Sequence, residues 1–205
     1  MSNYQRCIKR TFDLLCSCIG LVLLLIPGII IVLLILILSP GPIFFIQQRI
    51  GQHGKTFSVI KFSTMYIGSE HKGTITSAID NRITPIGHFL RKFKLDELPQ
   101  LWNVLIGKMS LVGPRPDVAG YADKLMGENR KILELKPGIT GPASLYFRNE
   151  EEVLAQVDNL KQYNDTVIWP KKVELNLDYY YHWSFWKDIG YILRTILPGL
   201  NRYSL

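Results

Sequence analysis

LLCSCIGLVLLLIPGIIIVLLILIL, residues 14–38, runs twenty-five positions without a charge. As one straight helix it would extend about 37 Å, more than the roughly 30 Å hydrocarbon core of a bilayer. A cleaved signal peptide fits poorly, because the run is too long and no small-residue cleavage site follows it. The segment is therefore expected to stay and to enter a membrane. Pro27-Gly28 stands at its midpoint, and a proline removes a backbone donor and collides with the preceding turn. Each half is then about a dozen residues, roughly 18 Å of helix, too short to span alone. Both flanks are basic, with Arg6, Lys9 and Arg10 before and Arg49, Lys55 and Lys61 after, whereas a spanning helix carries its Lys/Arg excess on the cytoplasmic side only. Matching flanks favour a helix that bends at Pro27 and returns to the side it came from. A Pro-kinked spanning helix stays open beside that reading.

The whole chain of 205 residues has a net charge of +7, and the excess is not evenly spread. Through Phe62 six bases face one acid, Asp13, while from Tyr121 onward bases and acids balance. A basic excess beside an apolar run suits an anionic membrane surface. Nucleic acid would suit any basic protein, but no recognition motif for it is present, and none is expected as a partner. Cys7, Cys16 and Cys18 are an odd, clustered set, neither a disulfide framework nor a metal spacing.

Beyond Ser39-Pro40-Gly41-Pro42 the pattern changes. The stretch IFFIQQRIGQHGKTFSVIKFSTM, residues 43–65, reads as a β-hairpin around a Gly-His-Gly turn, and residues 68–82 read as a polar loop. TPIGHFLRKF predicts a short helix with Pro85 in its first turn. DELPQLWNVLIG predicts another, with Asp96 as N-cap, Pro99 in the first turn and Gly107 as the stop. Its Leu98, Leu101, Trp102 and Leu105 recur at helical spacing and predict the buried face. SLVGPRPDV reads as a rigid loop, YADKLMGENRKILEL as an amphipathic helix and KPGITGPASL as a turn-rich connection. Residues 149–182 read as mostly helical with a break at Pro170. The tail from Trp183 suits an interfacial helix and a core helix equally. The expected fold is α+β: a membrane-inserted helical hairpin over residues 1–40, joined to a compact, mainly helical unit with a short β-hairpin over 41–205.

KLDELPQL, residues 94–101, holds two adjacent acids after the bases Arg91, Lys92 and Lys94. Acids in a first helical turn complement the dipole and need no function. Three neighbours favour chemistry instead. A helix N-terminus attracts phosphate, the adjacent bases add positive charge, and Gly113-Pro114-Arg115-Pro116 supplies a second Arg-bearing loop within twenty residues. Beside a membrane anchor, such an acid pair points to chemistry on a phosphorylated lipid.

KRTFDLL, the Pro-broken apolar segment, SPGPIFFIQQRIG, VIKFSTM, RKFKLDELPQLWNVLIGKMSLVGPRPD, KPGITGPASL and DYYYHWSFWKDIGYILRT occur here in this order. Together they resemble the bacterial sugar transferases, the monotopic phosphoglycosyl transferases, in their small catalytic-domain-only form. The resemblance implies transfer of a phosphosugar from a UDP-sugar to polyprenyl phosphate with release of UMP. It places the enzyme at the cytoplasmic face of the bacterial inner membrane, with both termini cytoplasmic, and implies Mg²⁺ as cofactor. It also implies that Asp96 is the nucleophile and the principal metal carboxylate, with Glu97 its partner and a candidate base toward the incoming lipid phosphate. Arg115 between Pro114 and Pro116 is expected to bind the nucleotide or its phosphate. Lys61 and Arg148 are further candidate phosphate contacts, and Arg91 is a candidate to close the site by pairing with Glu97 or the substrate. Two positions depart from the family pattern. Ser63 stands where a basic residue is common, and Ile26 stands where Ser often precedes the bend proline. Two other readings remain: a non-catalytic membrane-anchored scaffold that binds anionic lipid, and a lipid-phosphate hydrolase with the same intermediate.

Overall fold

The structure, a computed structural model, describes residues 1–39, 41–68, 80–197 and 199. The expected loop at 68–82 falls largely outside the described residues, as does the end of the tail. Helix α1 (Asn3–Leu23) opens on a capping box. The Ser2 hydroxyl accepts from the Gln5 amide at 3.2 Å, and the Gln5 side chain accepts from the Ser2 amide at 2.8 Å, so two free donors are satisfied reciprocally. Helix α2 (Leu25–Leu38) follows at a bend of 58°. Among the described residues no single helix is long and apolar enough to cross a membrane.

The bend stands at Leu24 and not at Pro27, a correction with a simple cause. A proline ring collides with the carbonyl four residues earlier, here that of Leu23, so α1 ends there. Pro27 then lies in the first turn of α2, where a missing N–H leaves no helical bond unmade. The Leu24 carbonyl accepts from Gly28 at 2.8 Å and carries the chain across the break.

The hairpin read at residues 43–65 is present. Strands β1 (Phe44–Ile50) and β2 (Thr56–Phe62) pair antiparallel from Phe44 opposite Phe62 to Ile50 opposite Thr56. His53 (φ 59°) and Gly54 (φ 75°) make the left-handed turn between them. Helix α3 (Pro85–Lys92) starts with the Thr84 hydroxyl accepting from Gly87 at 3.0 Å. A Cβ at Gly87 would stand 2.1 Å from the Thr64 carbonyl oxygen, so this close crossing requires glycine. Ile86 and Leu90 of α3 pack on Ile31 and Ile35 of α2 and on Phe62 of β2. The hairpin and the rest of the chain therefore share a core.

Helix α4 (Gln100–Leu105) begins later than the sequence suggests. Asp96 lies inside a 3₁₀ turn, Leu95–Glu97, and the cap position belongs to Pro99. The buried face also differs: Gln100, Asn103 and Val104 are buried while Trp102 is half exposed. Asn103 decides this, since its side chain accepts from Ile60 N at 3.2 Å and donates to the Ser58 carbonyl at 2.8 Å, tying α4 to β2. Two three-residue strands, β3 (Ser110–Val112) and β4 (Gly138–Thr140), pair in parallel. They draw the Gly113–Pro116 loop against the KPGITG segment, where Gly138 and Gly113 approach too closely for any side chain.

Residues 121–135 are not an α-helix. They form 3₁₀ turns at Ala122–Lys124 and Gly127–Glu134, because Gly127, which opens the second, takes φ 55°. Ile132 and Leu133 are nevertheless buried against Ile50 and Val173. Helices α5 (Pro142–Tyr146), α6 (Glu150–Leu154), α7 (Leu160–Tyr163), α8 (Trp169–Tyr181) and α9 (Phe185–Ile196) complete the chain. Pro170 does not break the last long helical stretch. A π turn, Asn164–Ile168, joins α7 to α8, and this wider winding accommodates the proline in the first turn of α8. Helix α9 combines both characters left open by its sequence, with Trp186 78% exposed and Asp188 2% exposed.

Candidate active site

At the end of α3 the backbone of Lys94 turns left-handed, φ 56° and ψ 23°. That reversal starts the short turn carrying Asp96 and Glu97, both buried. Strand β2 supplies Lys61 and the loop after β3 supplies Arg115. Lys61 Nζ stands 2.9 Å from Glu97 Oε1, Arg115 Nη2 2.5 Å from the same oxygen, and Arg115 Nη1 3.2 Å from Oε2. Burial alone would push the Glu97 carboxyl up, but Arg115 and Lys61 outweigh it and hold Glu97 well below the ordinary carboxylate range. Both of its oxygens are occupied.

Asp96 is the opposite case. Its Oδ1 is buried and has no hydrogen-bond partner among the described residues. Burial raises its pKa, Lys61 opposes the rise and the Glu97 charge adds to it. Four other buried atoms share this condition, Arg91 Nε, Ser110 Oγ, Ser144 Oγ and Asn176 Oδ1. What distinguishes Asp96 is that its open oxygen belongs to a carboxylate next to the Lys61–Glu97–Arg115 cluster. The two adjacent carboxylates thus have separate capacities: Glu97 organises cations, and Asp96 presents an open oxygen.

The Arg115 loop is gripped at several points. Gly138 N donates to the Pro114 carbonyl at 2.8 Å, Ile50 N to the Asp117 carbonyl at 2.8 Å and Arg49 Nη1 to the Pro116 carbonyl at 3.4 Å. Arg49 is itself held by Gln47 Oε1 at 2.6 and 3.0 Å. Burial, with Arg115 nearby, lowers the Arg49 pKa to about 10. Burial pushes the Asp117 carboxyl up to about 6 against the pull of Lys172 and Arg49. Sequence reasoning passed over Arg49 and Asp117. The signal for both was their place inside the QQRIG and GPRPD segments.

Of the other candidates, Arg91 pairs with Glu151 at 2.5 Å rather than with Glu97. Arg148 points its guanidinium at the carbonyls of Arg194 and Thr195, at 3.2 and 3.4 Å. It closes the end of α9, as a basic side chain commonly does. Among the described residues no group of three or more His, Cys, Asp or Glu could hold a metal. Mg²⁺ is usually bound by one or two carboxylates together with substrate phosphates and water. Asp96, with its open oxygen, fits such a minimal donor set and Glu97 does not.

A family model described as bacterial sugar transferase matches residues 4–202. The chain belongs to that family. This sugar transferase is 36% identical to the UDP-glucose:undecaprenyl-phosphate glucose-1-phosphate transferase of Escherichia coli K12 over 97% of its own length and 41% of the relative's. It is 34% identical to the undecaprenyl-phosphate galactose phosphotransferase of Salmonella typhimurium, covering 97% of its own length and 41% of that relative. It also matches the uncharacterized sugar transferase EpsL of Bacillus subtilis, at 36% identity over 92% of this chain and 85% of the relative. The chain thus spans about two fifths of the length of the first two relatives and most of the third.

Proposed function

We propose that this sugar transferase moves a phosphosugar from a UDP-sugar to polyprenyl phosphate through a covalent intermediate on Asp96. The observation that carries the reading is the buried, unpartnered Oδ1 of Asp96 beside a Glu97 saturated by Lys61 and Arg115. Asp96 attacks the phosphorus that carries the sugar. A bond forms from its carboxylate oxygen to that phosphorus, and the bridging P–O bond breaks, its electron pair leaving with UMP. An oxygen of the acceptor phosphate then attacks the same phosphorus and frees the carboxylate. Splitting one displacement into two in this way is the advantage of a covalent nucleophile. Asp96 would hold Mg²⁺, which would supply charge neutralisation for the departing UMP.

The remaining work falls to side chains. Lys61 and Arg115, fixed by Glu97, stabilise charge on the transferring phosphoryl group without reorganising during reaction. Glu97 is a poor proton acceptor in this setting, so its role is to position the two cations. The names of the relatives support the donor and acceptor classes. The outward apolar residues of α1 and α2, such as Val22, Leu23, Ile26 and Ile37, support contact with the bilayer, and the basic flanks on both sides of the hairpin support entry from the cytoplasmic face and return. A scaffold would gain nothing from an open buried carboxylate.

Purified protein given UDP-glucose or UDP-galactose labelled in the sugar-bearing phosphate, with Mg²⁺, should form an acid-stable adduct at position 96 and release UMP. Asp96→Asn should lower turnover by about a thousandfold or more. Full turnover by that variant would remove the nucleophile assignment.

A further inference from the structure

The cations around Asp96 have visible duties, with one exception. Lys61 and Arg115 hold Glu97, Arg91 holds Glu151, and Lys92 lies 5.8 Å over the Phe93 ring. Lys94, two residues before Asp96, is exposed. Its side chain has no hydrogen bond or ion pair among the described residues. Its backbone is left-handed, a conformation that glycine adopts freely and that a residue with a Cβ adopts at a cost. Local structure therefore argues against a lysine at this position. Its charge helps to hold the Asp96 carboxyl down against burial, but no hydrogen bond or ion pair among the described residues fixes its side chain.

Next to it, Phe89 and Phe93 stand with ring centroids 5.0 Å apart, 51% and 56% exposed. Ile86 and Leu90, on the adjoining flank of α3, pack on α2. The two rings thus lie exposed beside the contact of α3 with the apolar hairpin, at the end of the helix that leads into the Asp96 turn. A positive charge at the end of an apolar track, beside the reacting carboxylate, matches a monophosphate ester on a long apolar chain. It matches a soluble sugar nucleotide less well, because that donor would place its diphosphate at the more deeply set Lys61 and Arg115.

We propose that Lys94 and the Phe89–Phe93 pair form the acceptor subsite, Lys94 holding the phosphate of the prenyl phosphate and the rings carrying the first units of its chain. This rests on the phosphosugar-transfer reading above. Lysine suits the task as a compact charge on a flexible stem that reaches from an apolar surface into water.

The two half-reactions separate the possibilities. Full-length protein in detergent is assayed with UDP-glucose or UDP-galactose, whichever it turns over, and with undecaprenyl phosphate. Lys94→Gly should raise the KM for undecaprenyl phosphate about tenfold or more, the size expected for one charge-assisted hydrogen bond. The donor concentration needed for the acceptor-free UMP burst should move far less. The melting temperature should stay equal or rise, because glycine relieves the left-handed strain, and Lys94→Arg should recover most of the acceptor affinity. Phe93→Ala should weaken undecaprenyl phosphate more than it weakens dimethylallyl phosphate, which is too short to lie along the rings. An unchanged acceptor KM in Lys94→Gly, or a loss concentrated in the donor burst, overturns the proposal. If wild-type protein gives neither burst nor adduct, the covalent reading fails, and the steady-state acceptor KM of Lys94→Gly still decides this one.

Discussion

Asp96 and Glu97 are adjacent, equally buried and chemically alike, yet their surroundings drive them apart. Two cations reach Glu97, and no donor among the described residues reaches Oδ1 of Asp96. Removing the charge of Glu97 should therefore do more than reduce activity. Glu97→Gln leaves Lys61 and Arg115 next to each other without their shared anion, and breaking a buried ion pair at one end is strongly destabilising. Arg115 keeps some solvent, with 38% of its side chain exposed, so the expected loss is about 2 kcal/mol rather than the full buried value. Urea unfolding of wild type and variant measures it. A variant as stable as wild type would show that the cations do not depend on Glu97. Much of this site could be read from residues alone, since an acid pair after a basic cluster, with a Pro-braced arginine downstream, is a local pattern. The pairings could not. Arg91 meets Glu151 sixty positions away, and Arg148 meets the end of α9, because tertiary neighbours leave no mark in a single sequence.

At the scale of elements, periodicity and proline chemistry carried the long segments and failed on the short ones. The β1–β2 hairpin and α3 have strong local signals. Strands β3 and β4 have three residues each and exist because Gly113 and Gly138 let two backbones touch. The face of α4 was misread because Asn103 gains more from the β2 backbone than an apolar neighbour would. The bend was expected at Pro27 and stands at Leu24, one turn upstream, where the proline ring would collide. This yields a test of topology. Pro27→Ala restores a donor for the Leu23 carbonyl, so α1 and α2 should join into one rod about 54 Å long, sufficient to span. In a Cys16→Ser, Cys18→Ser background the exposed Cys7 reports the location of the N-terminus. A membrane-impermeant maleimide added to intact cells should label Cys7 in the Pro27→Ala protein and not in the Pro27 parent. Labelling of the parent from outside would establish a spanning helix.

For the molecule as a whole, the question is whether the apolar hairpin is a tether or part of the body. Helix α1 is fastened by polar groups along its first half. Arg10 donates to the Val104 and Leu105 carbonyls at 2.6 and 2.8 Å, and Asp13 accepts from Leu111 N at 3.0 Å. Lys9 Nζ lies 2.6 Å from Asp188 Oδ2, and Asp188 also accepts from Tyr179 Oη at 2.6 Å and Trp183 Nε1 at 3.0 Å. One carboxylate therefore joins α1, α8 and α9 and fixes the angle between the apolar hairpin and the rest of the chain. Asp188→Ala leaves a nearly buried ammonium unpaired and strips two donors of their acceptor, at an expected cost of about 3–5 kcal/mol. Thermal unfolding in detergent should fall accordingly. Limited proteolysis should cut between the hairpin and the rest before the remainder unfolds. The double variant Lys9→Met, Asp188→Leu should recover part of the loss, because an apolar pair of similar size requires no desolvated charge. A loss within about 1 kcal/mol for Asp188→Ala, with no new cleavage, would mean that Arg10, Asp13 and the packing of α2 on α3 hold the hairpin in place without help from Asp188.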